Sequence, residues 1–363
     1  MEYRGGPPFD VGPLMRRVPT GLLSVCLLVG CRPSPSSKAP TSDWMTPASA
    51  EHLAQWSPDG LERARTYWED MGTTAVVVVQ QGRVIAQWGD VQRPVQCHSL
   101  RKSFLSALYD RPVARGTISL DATLEELGID DAVPPSLSHS EKQATVEHLL
   151  QSRSGIYHPA AHETPSMEEN RPERDSHPPG THFLYNNWDF NALGTIYRQQ
   201  TGRDLFRAFL DELAVPTGME HFSLDDTRYA YEEELSEHPA YTFKLSTRDR
   251  ARFGLLYEAG GAWDGVRLLS TDWIAQSTRS YSDANPGVGY GYMWWVSVDG
   301  WHFGSQFEGT PYSARGWGGQ SIVVIPEREL VIAHTVDISA EEEIREGHSF
   351  NELFALILDA ELR

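Results

Sequence analysis

Predicted strands lie near both ends of the folded part of this chain, and predicted helices fill the region between them. Apolar runs on either side of Gly82 predict a hairpin over residues 74–88. Three later runs, rich in β-branched and aromatic residues, predict strands over residues 290–298, 319–326 and 328–336. This order favours one antiparallel sheet with a large, mostly helical inserted domain. The predicted fold class is therefore α/β of the α+β type.

Amphipathic helices flank the predicted strands at both ends. At the N-terminal end, Ser57 can cap a helix and Pro58 can be its first residue. At the C-terminal end, the apolar side chains of residues 350–361 recur at helical spacing. We therefore expect the folded unit at residues 57–363. Its α/β part is expected from residues 57–98 and about 285–363, and its mostly helical part from residues 99–284. The cleft between two such parts is the expected ligand site.

The first 56 residues have the composition of a targeting segment and a linker. Residues 1–30 read as a signal peptide, because two arginines precede an apolar run that is too short to span a bilayer. The run ends in LVGC, which resembles the lipobox of bacterial lipoproteins and implies acylation of Cys31. A plain signal peptide with an incidental cysteine is the alternative. Residues 31–56 are rich in Ser and Pro, as expected of a lipid-anchored linker.

Charge and cysteine content exclude several classes of function. The 363 residues carry a formal net charge of −19, which argues against a nucleic-acid partner. Cys97 is the only cysteine after Cys31, so no disulfide framework is expected, and a small buried apolar role for it is favoured over a second nucleophile. The histidines of residues 158–182 lack metal-ligand spacing, so we expect neither metal nor cofactor. That segment is either a substrate-facing loop or plain surface.

A Ser-x-x-Lys sequence begins the first helix of the predicted insertion. Ser99 and Lys102 lie three residues apart, which places them on one face of a helix. A desolvated lysine can be held neutral and accept the proton of a serine, which makes the serine a nucleophile. The alternative is that Ser99 only caps the helix.

Two further stretches carry residues suited to the same chemistry. Tyr185 and Asn187 form a Tyr-x-Asn triplet before a predicted helix, where the phenol can relay a proton and the amide can hold Lys102 and the substrate; a simple polar cap is the alternative. The sequence YSARGWGGQSIVVIPE brings glycines, among them Gly316 and Gly318, to the start of a strand. Such glycines let backbone N–H groups approach a substrate closely, or they mark a bulge.

These three motifs, in this order, resemble those of the serine β-lactamase and penicillin-binding-protein superfamily. The class C-like branch, with its esterases and 6-aminohexanoate-dimer hydrolases, is the most similar, and LLQSRSGIYHP also resembles it. The resemblance covers roughly residues 57–360 and implies a β-lactamase/transpeptidase-like fold. It implies that Ser99 is the nucleophile, that Lys102 and Tyr185 move protons, and that Asn187 orients. It also implies an oxyanion hole from the N–H groups of Ser99 and Trp317, with Gly316 and Gly318 in contact with the substrate. Tyr157 either lines the cleft as a substrate contact or belongs to the core.

One departure from the family pattern bears on the substrate. The third motif of true β-lactamases contains a lysine that binds the carboxylate of the antibiotic, whereas Ala314-Arg315-Gly316 stands here. Arg315 is expected to point away from the cleft if Ala314 faces it. The loss of the lysine favours small ester or amide substrates over β-lactams.

The sequence thus predicts an exported serine hydrolase, of carboxylesterase or amidase type, that works through a Ser99 acyl-enzyme without a cofactor. It is expected to be a bacterial lipoprotein anchored through Cys31 on the periplasmic or cell-surface side of a membrane. One alternative is a D-alanyl-D-alanine-type peptidase or weak β-lactamase. Another is a non-catalytic binding or sensor lipoprotein of the same fold.

Overall fold

The computed structural model describes residues 45–131, 133 and 135–362. The predicted signal peptide and the acylated Cys31 therefore lie outside the described residues. Where the chain is described, none of its helices is both long and apolar enough to cross a membrane.

The strands are β1 (Ala75–Gln80), β2 (Arg83–Gly89), β3 (Val95–Gln96), β4 (Thr227–Ala230), β5 (Ala240–Leu245), β6 (Ala262–Trp263), β7 (Val266–Arg267), β8 (Ser282–Asn285), β9 (Val288–Tyr290), β10 (Trp295–Ser297), β11 (Trp301–His302), β12 (Ser305–Gln306), β13 (Tyr312–Gly316), β14 (Gln320–Ile325) and β15 (Leu330–Thr335).

Helices flank and interrupt these strands. They are α1 (Ala50–Leu53), α2 (Pro58–Met71), α3 (Arg101–Ala114), α4 (Leu124–Leu127), α5 (Val146–Leu150), α6 (Pro165–Glu169), α7 (Asn187–Thr201), α8 (Leu205–Phe209), α9 (Thr247–Glu258), α10 (Thr271–Ser277) and α11 (Phe350–Asp359). The predicted cap of α2 is confirmed, because the Ser57 side chain accepts a hydrogen bond from Gly60 N and Pro58 is the first helical residue.

One eight-stranded antiparallel sheet organises the fold, as predicted. Its strand order is β2-β1-β15-β14-β13-β10-β9-β8, so the N-terminal hairpin pairs directly with the last strand of the chain. Ala75 lies opposite Thr335 in that pairing. Between β2 and β8, a long segment forms most of the helices and a three-stranded sheet in the order β3-β5-β4.

The two faces of the sheet are covered by different parts of the chain. On β1, Val76 and Val78 pack toward α2 and α11, where Leu353 and Phe354 complete the cluster. Val77 and Val79, which alternate with them, belong to the larger core that contains Phe104 of α3. Both faces of β1 are therefore buried, which explains its continuous apolar sequence.

The helix α9 lies directly on the second face of the sheet. It contacts β1, β14 and β15, and Gly254 permits this close approach. A Cβ added at Gly254 would lie 2.7 Å from Val331 Cγ1 and 2.8 Å from Ile322 Cγ2. A larger residue would separate the helix from the sheet.

The segment predicted as one strand over residues 290–298 is instead broken. β9 ends at Tyr290 and β10 begins at Trp295, with Met293 between them at a φ of 61°. The Met293 N–H donates to Leu150 O in the helical part, and its carbonyl accepts from Ser103 Oγ. These contacts outside the sheet replace the ladder bonds of a continuous strand, and alternation in the sequence does not reveal them.

The predicted linker is also shorter than expected. Residues 45–56 belong to the folded unit rather than to a tether, because Met45 and Trp56 are buried and α1 lies between them. Trp56 Nε1 donates a 2.7 Å hydrogen bond to Gln80 Oε1 at the end of β1. Apolar anchors spaced this far apart in a Ser- and Pro-rich stretch give no periodic signal.

Candidate active site

Ser99 lies on a tight turn that leads into α3. Residues His98–Leu100 form one turn of 3₁₀ helix, and α3 begins at Arg101. His98 has a φ of 48°, a strained conformation for a residue with a side chain. Leu100 and Phe104 are fully buried, and they fix the turn against the core. Strain held in place by surrounding packing is common next to reactive groups.

The amine of Lys102 links the serine to the tyrosine. Lys102 is 1% exposed, and its Nζ lies 3.0 Å from Ser99 Oγ and 2.6 Å from Tyr185 Oη. Burial first, and the charge of Arg101 second, hold the pKa of Lys102 well below its usual value. The rings of Tyr185 and Phe190 approach Nζ at 4.2 and 4.5 Å. A buried amine with a lowered pKa is suited to accept a proton from Ser99.

Tyr185 is held among aromatic rings just before α7. Its ring lies 5.3 Å from that of Trp295, 5.1 Å from Phe190 and 5.9 Å from Tyr290. Burial raises the pKa of Tyr185 to about 12, against the lowering effects of the Ser99 hydrogen bond and Arg101. The phenol is therefore neutral at rest and able to donate its proton.

Asn187 follows Tyr185 by two residues but does not hydrogen-bond to Lys102. Its Nδ2 donates to His162 O, while its buried Oδ1 has no hydrogen-bond partner among the described residues. The predicted contact with Lys102 is thus absent, and an orienting role toward substrate stays a prediction. The polar cap belongs to Asn186, whose side chain accepts from Asp189 N.

The third motif is β13 and the turn that follows it. A Cβ added at Gly316 would lie 2.7 Å from Cys97 O and 2.8 Å from Leu100 Cδ1, so only glycine lets β13 approach the Ser99 turn this closely. Trp317 comes next and is 53% exposed. A Cβ at Gly318 would lie 2.8 Å from Ile338 Cγ2, which indicates packing against protein. The oxyanion role of the Trp317 N–H and the substrate contacts of both glycines stay predictions.

Arg315 does not turn away from the site as expected. Ala314 faces the core rather than an open cleft, and Arg315 Nε donates to Ser313 Oγ at 2.9 Å. The guanidinium lies 4.1 Å from the Phe303 ring and 5.4 Å from the Trp295 ring, and Trp295 contacts Tyr185. Burial lowers the pKa of Arg315 to about 10. A cation is therefore one aromatic ring away from Tyr185.

A cavity of about 210 Å³ opens beside Tyr185. Tyr157 lines it and is itself buried, with its Oη 3.0 Å from His177 Nδ1. Its contact with a substrate stays a prediction. The cavity wall also includes Glu163, Met167 and Arg171 from the irregular segment of residues 158–182, which the sequence did not single out. Glu163 and Arg171 form an ion pair there. No spacing rule signals such residues, because the loop has no periodicity.

Other features of the described chain are not part of this centre. A larger groove of about 600 Å³ lies between α2 and β2 and contains none of the predicted site residues. Cys97 is fully buried and burial raises the pKa of its thiol, which fits the predicted apolar role. Over the residues that the structure describes, no group of three or more His, Cys, Asp or Glu side chains could hold a metal ion.

Comparisons with known proteins bear on the family and the fold of the chain. Residues 61–355 match the family model described as Beta-lactamase, whereas no curated protein matches the chain. Among solved structures, a Bacillus anthracis protein described as a candidate 6-aminohexanoate-dimer hydrolase is 19% identical, with a TM-score of 0.64 and 88% of each chain covered. An octameric penicillin-binding protein homologue from Pyrococcus abyssi is 17% identical, with a TM-score of 0.59 over 86% of this chain and 77% of that one.

A class C beta-lactamase in complex with cefoxitin is 16% identical to the chain, with a TM-score of 0.58 over 85% of this chain and 97% of that one. Identities this low establish the shared fold and not a shared substrate. The family model, in contrast, covers most of the chain. The chain therefore belongs to the beta-lactamase family.

Proposed function

We propose that this protein is an exported serine hydrolase that cleaves an ester or amide through an acyl-enzyme on Ser99. One observation supports it above all: the buried Lys102 amine is within hydrogen-bond distance of both Ser99 Oγ and Tyr185 Oη. Burying an amine costs folding free energy. A lysine with only a structural role would not need to be buried against two hydroxyl groups. The arrangement matches what activation of a serine requires.

The chemistry follows from these distances. Ser99 Oγ attacks the substrate carbonyl carbon, and its proton passes to the neutral Lys102 amine. Tyr185 gives its proton to the leaving oxygen or nitrogen and regains one from Lys102. A water molecule then attacks the acyl carbon, its proton passes to the same pair, and Ser99 leaves with its proton restored. The N–H groups of Ser99 and Trp317 are proposed to stabilise the oxyanion in both steps.

The substrate class is proposed from the third motif. Ala314 stands where the lysine of true β-lactamases binds a carboxylate, so a short-chain ester or small amide without a carboxylate loses nothing here. One observation favours a peptidase or weak β-lactamase as second candidate, because Arg315 brings a cation close to the ring that packs on Tyr185.

Export and anchoring are proposed from the sequence alone. The apolar run that ends in LVGC supports cleavage before Cys31 and acylation of its thiol. A single acyl chain gives only marginal membrane binding, so stable attachment needs more than one chain. Metabolic labelling with a fatty acid, with Cys31→Ala as control, tests the acylation of Cys31 separately from the hydrolase activity.

Turnover assays test the hydrolase proposal. The purified protein is incubated with p-nitrophenyl acetate, p-nitrophenyl butyrate, small p-nitroanilides and nitrocefin, beside Ser99→Ala prepared in the same way. Ester hydrolysis that disappears in Ser99→Ala is expected. If no substrate is turned over faster than by Ser99→Ala, the non-catalytic alternative becomes the better reading.

A further inference from the structure

The turn between β13 and β14 carries the backbone N–H that is proposed to bind the oxyanion. Trp317, Gly318 and Gly319 form this turn, and the two glycines have left-handed φ values of 81° and 87°. The Trp317 side chain does not anchor the turn in the core, because the residue is 53% exposed. An oxyanion hole depends on donors that are held in place before the reaction, so other groups must fix the Trp317 peptide.

Gln320, the first residue of β14, restrains the chain on both sides of the Trp317 N–H. Its backbone pairs with Gly316, the residue before Trp317, in the β13–β14 ladder. Its side-chain Nε2 donates a 3.3 Å hydrogen bond to Trp317 O. Gln320 is fully buried, so water does not compete for this contact. At the other end of the turn, Gly319 O accepts a separate hydrogen bond of 2.9 Å from His334 Nδ1.

The amide of Gln320 is itself held by Arg250 of α9. The Arg250 guanidinium, which is also fully buried, donates through Nη1 to Gln320 Oε1. A guanidinium can only donate and a carbonyl oxygen can only accept. The amide therefore has one orientation that satisfies both neighbours, with Oε1 toward Arg250 and Nε2 toward Trp317 O.

The same guanidinium contacts the strand that leads to Ser99. Arg250 Nη2 donates to Val95 O at 2.7 Å, and Nε donates to Leu245 O at 3.2 Å. Val95 belongs to β3, which ends at Gln96, just before the turn that carries Ser99. Consecutive hydrogen bonds thus run from Val95 O through Arg250 and Gln320 to Trp317 O.

These hydrogen bonds connect the two sources of the proposed oxyanion hole. One N–H belongs to Ser99, on the turn that follows β3, and the other belongs to Trp317, on the turn that follows β13. The two donors act together only if their separation is fixed, and a misplacement of about 1 Å in a reacting site can lower the rate about 10²-fold. A buried link between the two turns meets this requirement.

We propose that Gln320 is a positioning residue that, anchored by Arg250, holds the Trp317 N–H in a fixed place relative to the Ser99 N–H. This inference rests on the proposed function, in which these two N–H groups stabilise the oxyanion. It gives a role in the reaction to a residue that lies after the glycines of the third motif and does not contact substrate.

Kinetics of two Gln320 variants test this role. Gln320→Met removes both side-chain hydrogen bonds at similar volume. Gln320→Glu keeps an acceptor for Arg250, and gains an ion pair with it, but loses the donor to Trp317 O. Steady-state kcat and KM are measured with p-nitrophenyl butyrate, and thermal unfolding is measured for every protein.

Gln80→Met is the matched control. Gln80 is also buried, and its amide accepts from Trp56 Nε1 at 2.7 Å and donates to Arg328 O at 3.2 Å. This substitution therefore removes the hydrogen bonds of a buried amide without touching the β13–β14 turn.

Both Gln320 variants are expected to lose kcat and kcat/KM together, with KM changed little, because the oxyanion forms in acylation and in deacylation. The expected fall is about ten- to hundredfold, since complete loss of one donor costs about 10²- to 10³-fold. Gln320→Glu should melt no lower than Gln320→Met, because Arg250 keeps a partner. Gln80→Met is expected to change the melting temperature and not kcat.

A double variant shows whether Gln320 acts through Trp317. Trp317→Pro has no N–H at this position, so adding Gln320→Met to it should lower kcat much less than Gln320→Met does in the wild type. Effects that multiply in full would mean that Gln320 acts elsewhere, which would overturn the inference.

Other outcomes also count against it. Unchanged kcat in Gln320→Glu, a change confined to KM, an equal loss of kcat in Gln80→Met, or failure of both Gln320 variants to fold would overturn the inference. Wild-type protein without turnover that depends on Ser99 would overturn the proposed function as well. Turnover that depends on Ser99 and is unaffected by either Gln320 variant would overturn the inference alone.

Discussion

Tyr185 Oη and Lys102 Nζ lie 2.6 Å apart, although 83 residues separate them in the chain. Lys102 comes from α3, while Tyr185 is held just before α7 by the rings of Phe190 and Trp295. The contact joins two elements of the helical part at the point where β13 also approaches Ser99. A proton can therefore pass from Ser99 through Lys102 to Tyr185 without moving the backbone.

Removing either end of this contact should abolish most of the activity. For Lys102→Ala and Tyr185→Phe we expect kcat to fall by about 10²-fold or more, the usual scale for loss of a general acid or base. Steady-state kinetics with p-nitrophenyl butyrate give the measurement. Tyr109→Phe is a matched control, since its hydroxyl donates to Leu193 O and has no role at Ser99. Near-normal turnover in Tyr185→Phe would remove the phenol from the mechanism.

The backbone of Trp317 can be tested apart from its side chain. Trp317→Pro removes the N–H that is proposed to bind the oxyanion, and loss of one such donor costs about 10²- to 10³-fold in kcat. Trp317→Ala keeps the N–H, and because the indole is largely exposed, we expect it to change KM more than kcat. Equal kcat values for the two variants would contradict an oxyanion role for this residue.

The third motif predicts a preference between two substrates. A charge-assisted hydrogen bond to a carboxylate contributes about 1.5–3 kcal/mol, and Ala314 cannot make one. We therefore expect measurable hydrolysis of p-nitrophenyl acetate and at least about tenfold lower kcat/KM for nitrocefin, equivalent to about 1.4 kcal/mol. If nitrocefin is the better substrate, Arg315 replaces the missing lysine, and Arg315→Met should then reverse the preference.

The buried carboxyl group of Asp189 in α7 should make the free energy of unfolding depend on pH. Burial raises the pKa of Asp189 to about 8, despite hydrogen bonds from Ser154 and Asn186. An unfolded Asp titrates near 3.9, so the folded state holds an extra proton between these values and loses stability as pH rises through this range.

Replacing Asp189 with its neutral isostere separates the contribution of this carboxyl group from the pH dependence of stability that all other groups cause. Asp189→Asn lacks the titration, so its Tm relative to the wild type should increase from pH 5 to pH 8. Thermal melts across that range give the measurement, with the exposed Asp272→Asn as control. A difference that stays flat for Asp189→Asn would mean that the carboxyl ionises in the folded state as it does in water.

Much of this site was open to prediction because local rules govern it. The Ser-x-x-Lys spacing brings Ser99 and Lys102 together, and apolar runs on either side of Gly82 predict the hairpin at residues 74–88. Contacts set by tertiary packing were not accessible in this way. The Asn187 amide donates to His162 O instead of facing Lys102, and the break at Met293 depends on a bond to Leu150.

The side-chain direction of Arg315 shows the same limit. Strand alternation predicted that it would point away from the cleft, which assumed that Ala314 faced an open cleft. Ala314 is in the core, and the neighbouring strand instead brings Trp295 between Arg315 and Tyr185.

The nucleophile can be identified directly by covalent labelling. Wild type, Ser99→Ala and Ser103→Ala are treated with a fluorophosphonate probe, and intact mass followed by peptide mapping locates the adduct. Ser103 is a matched control in the first turn of α3, just after Ser99, because its hydroxyl donates to Met293 O. We expect one probe mass on Ser99 in the wild type and in Ser103→Ala, and none in Ser99→Ala. Equal labelling of Ser99→Ala and the wild type would contradict a Ser99 acyl-enzyme.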